Sequence, residues 1–387
     1  MRDFTFHNPT KIIFGKDTIT KLARELRPYQ RILLAYGGGS IKTNGIYDRV
    51  VEILNAEGKD FVELSGIMPN PRKEKVYEGI DLCKEHELDF ILAVGGGSVI
   101  DASKLIASGS RTDRDFWQAF MLNNEEVYDA LPLGSILTLP GTGSEMNTGG
   151  VITDWENNRK IGFLSPLQFP KFSILDPTYT FTLPREQMVY GMVDALSHIF
   201  EQYFSKPDES NVSDDLAETL IKSIIANLNV ALADPLDYNA RSNMIWLATL
   251  ALNGLIRLGK DGDWMTHGIE HALSAFYDIP HAAGLAIVHP NYHKYVAKNA
   301  PEKFARYARN VWDIDAAGKS DYEVALLGIE RTREYFRSIG APTTLQEVSI
   351  PAESIDEIAE TVEVYKTSYG GDLTTDDIKN ILRMCLE

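Results

Sequence analysis

Cysteine is nearly absent from this chain of 387 residues. Its two cysteines, Cys83 and Cys385, are far apart and belong to no paired motif. Disulfide frameworks and thiolate-rich metal sites need several cysteines at defined spacings. The composition therefore excludes both, and any metal site must be built from nitrogen and oxygen ligands.

Positive charge and long apolar runs are also scarce. The formal net charge is −17 at pH 7, whereas nucleic-acid and anionic-membrane binding depend on basic patches. No uninterrupted apolar run approaches the ~18 residues that span a bilayer. The N-terminal MRDFTFHNPTKIIFG lacks the basic-then-apolar order of a signal peptide. We therefore expect a cytoplasmic protein with no nucleic-acid or membrane partner.

A strand, a glycine turn and a helix follow one another twice in the first half. RILLAY (31–36) leads into Gly37-Gly38-Gly39-Ser40, and FILAV (90–94) leads into Gly95-Gly96-Gly97-Ser98. This order is typical of βαβ units in a mainly parallel sheet. From Arg185 onward the apolar residues recur with helical spacing. The patterns predict an α/β domain over 1–178 and an all-helical domain over 179–387, with chemistry at their junction.

The glycine turns suggest anion binding. Glycines between a strand and a helix allow close backbone approach, and the helix N-terminus offers free N–H groups. Neither turn matches the GxGxxG dinucleotide fingerprint. A single turn of this kind often satisfies backbone geometry alone, but a third loop, PGTGSE (140–145), follows another predicted strand. Three such loops favour a bound nucleotide.

Two predicted helices carry pairs of polar residues opposite their apolar stripes. Asp194 and His198 form one pair, and His267 and His271 form the other. Side chains four residues apart on a helix project together. Each pair alone is typical of a solvated face, but two such helices can close a site for Zn²⁺ or Fe²⁺. Gly268 follows His267, so the HExxH motif of zinc proteases is absent.

Long segments of the chain resemble the iron-containing, or group III, alcohol dehydrogenases. The matching segments are FTFHNPTKIIFG, GGGSVIDASK, LPGTGSEMN, GMVDALSHIFEQY and DWMTHGIEHALSAFYDIPHAAGLAIVHP. They are most similar to the NADP(H)-dependent butanol dehydrogenases and broad-range aldehyde reductases. The resemblance implies a Rossmann-like dinucleotide-binding domain joined to a helical domain in a dehydroquinate synthase-like architecture. It also implies a homodimer that interconverts primary alcohols and aldehydes.

The resemblance further implies which polar residues bind metal. Asp194, His198, His267 and His281 would hold one Fe²⁺ or Zn²⁺ between the domains. His271 would lie near the substrate, where it is a candidate for proton transfer because imidazole titrates near neutrality. A relay through the ribose hydroxyls of the cofactor is an equal alternative. His289 and His293 have no catalytic role in the family and are expected to support the structure.

The cofactor residues carry over from the family motifs in the same way. They lie in the two glycine turns, the third loop and the strands beside them: Gly37, Gly38, Gly39, Ser40, Gly95, Gly96, Gly97, Ser98, Asp101, Thr138, Thr142, Asn147, Lys160 and Tyr179. Members of the family that prefer NAD carry an acidic residue in the first turn. Here that turn reads GGGSIK, so Ser40 and Lys42 predict NADP(H).

Other functions remain open from the sequence. Glycerol or diol dehydrogenases and dehydroquinate synthases share the architecture and much of the metal site. A metal-dependent hydrolase or phosphatase could use the same Asp/His residues, but it would leave the glycine loops without a purpose. A non-catalytic sensor of metal or nucleotide would bind both without turnover. The N/O ligands accept iron and zinc alike, and substrate chain length is not encoded in any motif.

Overall fold

The structure is a computed structural model that describes residues 1–206, 211–362, 369, 371 and 373–387. The chain forms two compact units. The sheet unit comprises His7–Pro184 and Asp234–Thr249, and the helical unit comprises Met1–Phe6, Arg185–Ala233 and Leu250–Glu387. The sequence predicts one continuous stretch per domain, 1–178 and 179–387, and that division stays a prediction.

The sheet unit is built on six parallel strands in the order β1-β8-β5-β4-β2-β3. Their bounds are β1 Lys11–Phe14, β2 Arg31–Tyr36, β3 Asp60–Leu64, β4 Phe90–Gly95, β5 Leu133–Leu137 and β8 Phe172–Leu175. Strands β6 (Gly149–Asp154) and β7 (Arg159–Leu164) form a separate antiparallel pair. Parallel strands are covered on both faces and read as continuous apolar runs. The expected parallel α/β sheet is confirmed.

Helices cover both faces of this sheet. Their bounds are α1 Leu22–Glu25, α2 Ser40–Thr43, α3 Ile46–Ala56, α4 Lys73–Glu85 and α5 Gly97–Gly109. Successive side chains of a strand point to opposite faces. Leu33 and Ala35 therefore join one apolar cluster, whereas Ile32 and Leu34 join the other. The layers place the glycine turns where strands β2 and β4 end and helices begin.

The helical unit carries the remaining helices. Their bounds are α6 Arg185–Tyr203, α7 Asn211–Ala233, α9 Met265–Tyr277, α10 His281–Val296, α11 Pro301–Trp312, α12 Asp321–Ile339, α13 Ile355–Thr361 and α14 Thr375–Met384. Helix α8 (Tyr238–Ala251) belongs to the sheet unit as far as Thr249. The helical periodicity that begins at Arg185 is confirmed by these elements.

Helix α7 contains the most apolar long stretch. By length and composition alone, Val212–Ala233, with a mean hydropathy of 1.3, could cross a membrane. Four charged residues interrupt it: Asp214, Asp215, Glu218 and Lys222. Its buried residues recur every three or four positions, as packing of one helix face requires: Ala217, Ile221, Ile224, Leu228 and Ala231. This spacing is typical of a helix packed along one face against its neighbours.

Candidate functional site

Helix α6 supplies the first two predicted metal ligands. Asp194 and His198 are each 5 % exposed, and His198 Nε2 lies 3.6 Å from Asp194 Oδ1. Almost every residue of α6 after Met188 is buried. The polar side of this helix is therefore not a solvated face, and its charged groups need partners inside the protein.

Helices α9 and α10 bring two further histidines to the same place. His267 lies on α9, and His281 is the first residue of α10. Asp278 ends α9 in the left-handed conformation and Pro280 precedes α10, so the chain reverses between the helices. His281 Nε2 lies 3.7 Å from Asp194 Oδ1. The ring centroid of His267 is 5.1 Å from that of His281 and 4.9 Å from that of His198.

The geometry of this cluster suits a single ion. One candidate ligand atom from each of Asp194, His267 and His281 lies within 4.8 Å of the others. The structure thus brings together all four predicted ligands, which come from three helices. Their roles as ligands stay a prediction.

Two buried glutamates that the sequence analysis missed hold the imidazoles. Glu201 accepts a hydrogen bond from Nδ1 of His267, and Glu270 accepts one from Nδ1 of His281. Glu201 is 2 % exposed and Glu270 is fully buried. A sequence signal was available, because Glu201 follows His198 by three residues and Glu270 follows His267 by three. Each glutamate therefore shares the polar side of its helix with a predicted ligand.

The cluster fits a divalent cation. His267 Nε2 is buried and has no hydrogen-bond partner within the described part of the chain. Burial holds the pKa of His198 well below its usual value, so its imidazole is neutral and able to ligate. For His267 burial lowers the pKa, but the carboxylates of Glu201, Asp194 and Glu270 together raise it by more. Asp194, Glu201 and Glu270 place three buried carboxylates at this cluster, which favours a compensating cation, and the N/O set suits Fe²⁺ or Zn²⁺.

The other histidines of this region lie at its edge or in the core. The half-buried ring of His271 is 5.6 Å from that of His281. His289 and His293 are buried on α10 and pack edge-on against Phe200. These contacts agree with a supporting role for His289 and His293, and they leave His271 as the histidine beside the cluster.

In the sheet unit, the second glycine turn is shaped by close packing. A Cβ on Gly95 would lie 2.5 Å from a methyl of Val99, and one on Gly97 would lie 2.3 Å from a methyl of Thr142. Only glycine fits these contacts, so the interpretation that such glycines satisfy local geometry has support here. The turn still leads directly into the N-terminus of α5, which Gly97 begins.

The first turn differs, because two of its glycines, Gly38 and Gly39, face open space. No atom lies within 4 Å of where a Cβ of Gly38 or Gly39 would be. Gly39 has a φ of 109°, which disfavours any other residue. Ser40 begins the short helix α2 directly after it. Backbone accessibility at this turn leaves room for part of a nucleotide.

Asp101 of α5 and Asn147, both predicted to contact the cofactor, form hydrogen bonds with residues of the third loop. Asp101 accepts hydrogen bonds from Ser144 Oγ (2.6 Å) and from the Val151 N–H (3.1 Å). Asn147 Nδ2 donates to the Thr142 carbonyl at 3.3 Å. These contacts position the loop, and direct cofactor contact by either residue stays a prediction.

Lys104, which the sequence analysis did not single out, organises this loop from α5. Its fully buried Nζ donates to Ser144 Oγ, Asn147 Oδ1 and the Gly149 carbonyl at 2.7–2.8 Å. Burial lowers the pKa of Lys104 to about 8. The ammonium thus ties three points of the predicted cofactor loop to one helix.

The remaining predicted cofactor residues lie around these turns. The Thr138 N–H donates to the Gly95 carbonyl at 3.0 Å, joining the ends of β4 and β5. Lys160 lies on β7, where its charge acts on Asp101. Tyr179 packs against the apolar cluster that contains Ile32. Thr138 and Lys160 thus interact with the second turn and the helix that follows it. Tyr179 instead packs on the other face of the sheet, opposite the face that contains Leu33.

A carboxylate lies close to Lys42, which follows the first turn. The sequence of the turn contains no acidic residue and did not predict one nearby. Glu63 of β3 lies 3.8 Å from Lys42 Nζ and accepts hydrogen bonds from the hydroxyls of Tyr36 and Tyr47. Burial alone would raise the pKa of Glu63, but the two tyrosine hydroxyls and Lys42 together lower it by more. Lys42 is therefore already paired with an ionised carboxylate in the absence of a cofactor phosphate.

Comparison with known proteins identifies the family. Residues 9–177 match the model described as iron-containing alcohol dehydrogenase, and residues 188–386 match that of the C-terminal part of the Fe-containing alcohol dehydrogenase family. The chain is 46 % identical to the probable NADH-dependent butanol dehydrogenase 1 of Bacillus subtilis, over the full length of both. It is 38 % identical to the NADPH-dependent aldehyde reductase YqhD of Escherichia coli, over 98 % of this chain and 99 % of that one.

The solved structures agree with these relatives. The crystal structure of NADH-dependent butanol dehydrogenase A from Thermotoga maritima matches with a TM-score of 0.94 and 41 % identity, covering 100 % of this chain and 99 % of the other. The matches confirm the resemblance and the architecture of a parallel sheet with a helical part. The chain belongs to the iron-containing alcohol dehydrogenase family, and it is an alcohol and aldehyde oxidoreductase that uses a pyridine nucleotide and a metal.

Proposed function

We propose that this enzyme interconverts short primary alcohols and their aldehydes, such as butanol and butanal, with NADP(H) and one Fe²⁺ or Zn²⁺. The observation that carries the proposal is the convergence of three buried residues, Asp194, His198 and His267, with the half-buried His281. Relatives named butanol dehydrogenase and aldehyde reductase support the substrate class.

In this proposal Asp194, His198, His267 and His281 hold the ion. When bound, a divalent ion supplies a Lewis acid for the substrate oxygen. Asp194 offers a carboxylate oxygen, and His267 and His281 offer Nε2 atoms because their Nδ1 atoms are engaged by glutamates. The protein's part is to fix these atoms, with Asp194 and His267 buried and His281 half-buried.

His271 moves the proton in the same proposal. Its half-buried ring lies beside that of His281, at the edge of the cluster. An imidazole there can exchange a proton between the substrate oxygen and solvent. A general acid or base of this kind typically accelerates a reaction by about 10²–10⁴-fold.

The first turn decides between NADP(H) and NAD(H). Ser40 and Lys42 favour a 2′-phosphate, whereas the Glu63 carboxylate, 3.8 Å from Lys42 Nζ, opposes it. In Rossmann-like domains a carboxylate at the end of the next strand commonly binds a ribose hydroxyl. We retain the NADP(H) preference predicted by the turn, with Glu63 limiting its strength. The 46 %-identical relatives named NADH-dependent make this a sharp test.

The first experiment is a paired assay on purified protein that is chelated and then reloaded with Fe²⁺ or Zn²⁺. Butanal reduction is followed with NADPH and with NADH. We expect either ion to restore turnover, with faster oxidation of NADPH. No oxidation of either cofactor with either ion would overturn the aldehyde-reductase proposal. Faster NADH oxidation would overturn only the cofactor preference.

A homodimer and a cytoplasmic location complete the proposal. The dimer is implied by the family resemblance. Size-exclusion chromatography with light scattering, which measures the mass of the protein in solution, tests it. A mass near 43 kDa would indicate a monomer and contradict the prediction.

A further inference from the structure

We propose that Glu201 and Glu270 are positioning residues that aim the imidazoles of His267 and His281 at the metal position. Each carboxylate engages Nδ1 of its histidine, so Nε2 is the nitrogen left to face the cluster. The inference rests on the metal-dependent function proposed above. It adds two residues, outside the four proposed ligands, that determine how well the site binds its ion.

Glu201 is fixed to His267 at two points. One oxygen accepts from the His267 side chain, and the other accepts from the backbone N–H of the same residue at 3.0 Å. That N–H lies in the first turn of α9, where backbone donors have no partner inside the helix. Glu201 therefore sets both the start of α9 and the orientation of the ring.

Glu270 is held by a different set of contacts. Ser274 Oγ donates to its Oε1, while its other oxygen engages His281. A Cβ on Gly284 would lie 2.7 Å from Glu270 Cγ and 3.2 Å from Oε1. Gly284 thus leaves the space that the glutamate side chain occupies between α9 and α10.

These contacts affect metal binding in two ways. A carboxylate on Nδ1 fixes the tautomer and the orientation of the ring, and it makes Nε2 a stronger donor. Both glutamates are buried, so their charge is little screened by solvent and favours a cation in the cluster. Removing such partners typically weakens metal affinity by about 10–100-fold.

The test measures metal affinity directly, by competition between the apoprotein and a chelator for Zn²⁺ and for Co²⁺. The variants are E201Q, E201A, E270Q and E270A, each compared with the wild type. We expect the alanine variants to lose about 10–100-fold in affinity, and the glutamine variants to lose less because an amide oxygen can still accept from Nδ1. The Co²⁺ absorption spectrum should change in each, since the ligand geometry changes.

E218Q is the matched control. Glu218 is also buried in the helical unit, but its carboxylate accepts from Tyr203 and Arg306 and not from a histidine of the cluster. Its affinity and Co²⁺ spectrum should equal those of the wild type. If removing any buried carboxylate disrupted folding, the metal affinity and the Co²⁺ spectrum of E218Q would change as well. If Glu201 and Glu270 had only a structural role, their correctly folded variants would keep the wild-type spectrum.

Gly284→Ala provides a second route if the glutamate variants do not fold. It keeps every polar group but pushes on Glu270 Cγ, so we expect weaker metal binding and an altered Co²⁺ spectrum. Wild-type affinity in all of the glutamate and Gly284 variants would overturn the positioning roles while leaving the proposed function intact. A wild-type protein that binds neither ion would overturn both.

Discussion

At the scale of single residues, the chemistry lies in polar side chains buried in apolar helices. Asp194 and His198 are buried among the core residues of α6. Burying such groups is costly unless they are paired or bind a metal. Their burial is therefore more informative about function than their position on a helical wheel.

His281 and His271 should separate metal retention from proton transfer. His281→Ala removes a predicted ligand. Metal affinity should therefore fall by more than in the glutamate variants, for which a loss of about 10–100-fold is expected, and activity should fall with it. His271→Ala should retain metal and lose about 10²–10⁴-fold in kcat, with a changed pH profile. Metal content and steady-state rates check both variants. Full activity with unchanged metal content in His281→Ala would remove it from the ligand set.

The Lys42–Glu63 pair should control the choice of nicotinamide cofactor. Glu63→Gln removes the charge that faces Lys42, so the ratio of kcat/KM for NADPH over NADH should rise by about 5-fold. Lys42→Ala should lower the same ratio by a similar factor. Arg49→Ala on α3, whose side chain pairs with Glu52, is the control and should leave it unchanged. Equal ratios in all four proteins would contradict the assignment.

At the scale of elements, helix α5 does more than begin at a glycine turn. It also carries Lys104, which holds the loop between β5 and β6 through three hydrogen bonds. The glycines at the start of α5 and the lysine two turns later thus serve the same loop. Loop shape here depends on a buried cation rather than on the loop sequence alone.

Lys104→Met should destabilise this region and weaken cofactor binding. Removing one partner from a buried charged network typically costs about 3–5 kcal/mol, because the groups left behind lose their hydrogen bonds. Denaturant unfolding measures the loss, and fluorescence titration with NADPH and NADH measures binding. Exposed Lys21→Met should change neither. Unaltered cofactor affinity in a destabilised Lys104→Met protein would show that the network serves stability alone.

At the scale of the whole molecule, stability should fall as the pH is lowered below neutrality. Burial lowers the pKa of His293 to about 3, so the folded protein keeps this imidazole neutral while the unfolded chain, with a pKa near 6.5, takes up a proton. Between pH 6.5 and pH 3 the unfolded state binds more protons. The free energy of unfolding therefore decreases by about 1.4 kcal/mol per pH unit on account of this residue.

His293→Leu should make that dependence shallower by about one proton. Denaturant unfolding at pH 7, 6 and 5, with chelator present throughout, gives the slope for each protein. His86→Leu, at an exposed position after α4, should keep the wild-type slope. A His293→Leu slope equal to that of the wild type would mean that this imidazole does not titrate on unfolding.

Much of the fold could be predicted from local sequence. Apolar runs that end in glycine, such as RILLAY before Gly37, indicate parallel strands because the pattern repeats within a few residues. The helices after Arg185 follow from spacing in the same way. The antiparallel partner β7 was not predicted, because its strand, RKIGFL, is exposed at several positions and does not form an apolar run.

The sequence by itself determined the family, the parallel α/β sheet, the helical part and the set of acidic and histidine residues from which a metal site can be built. Tertiary structure alone decided the pairings: Glu201 with His267, Glu270 with His281, Glu63 with Lys42, and Lys104 with the third loop. Periodicity and glycine placement are properties of a few neighbouring residues, so they can be recognised in the sequence. A hydrogen bond between side chains 66 positions apart, as in Glu201 and His267, depends on how helices pack, and no local pattern specifies that.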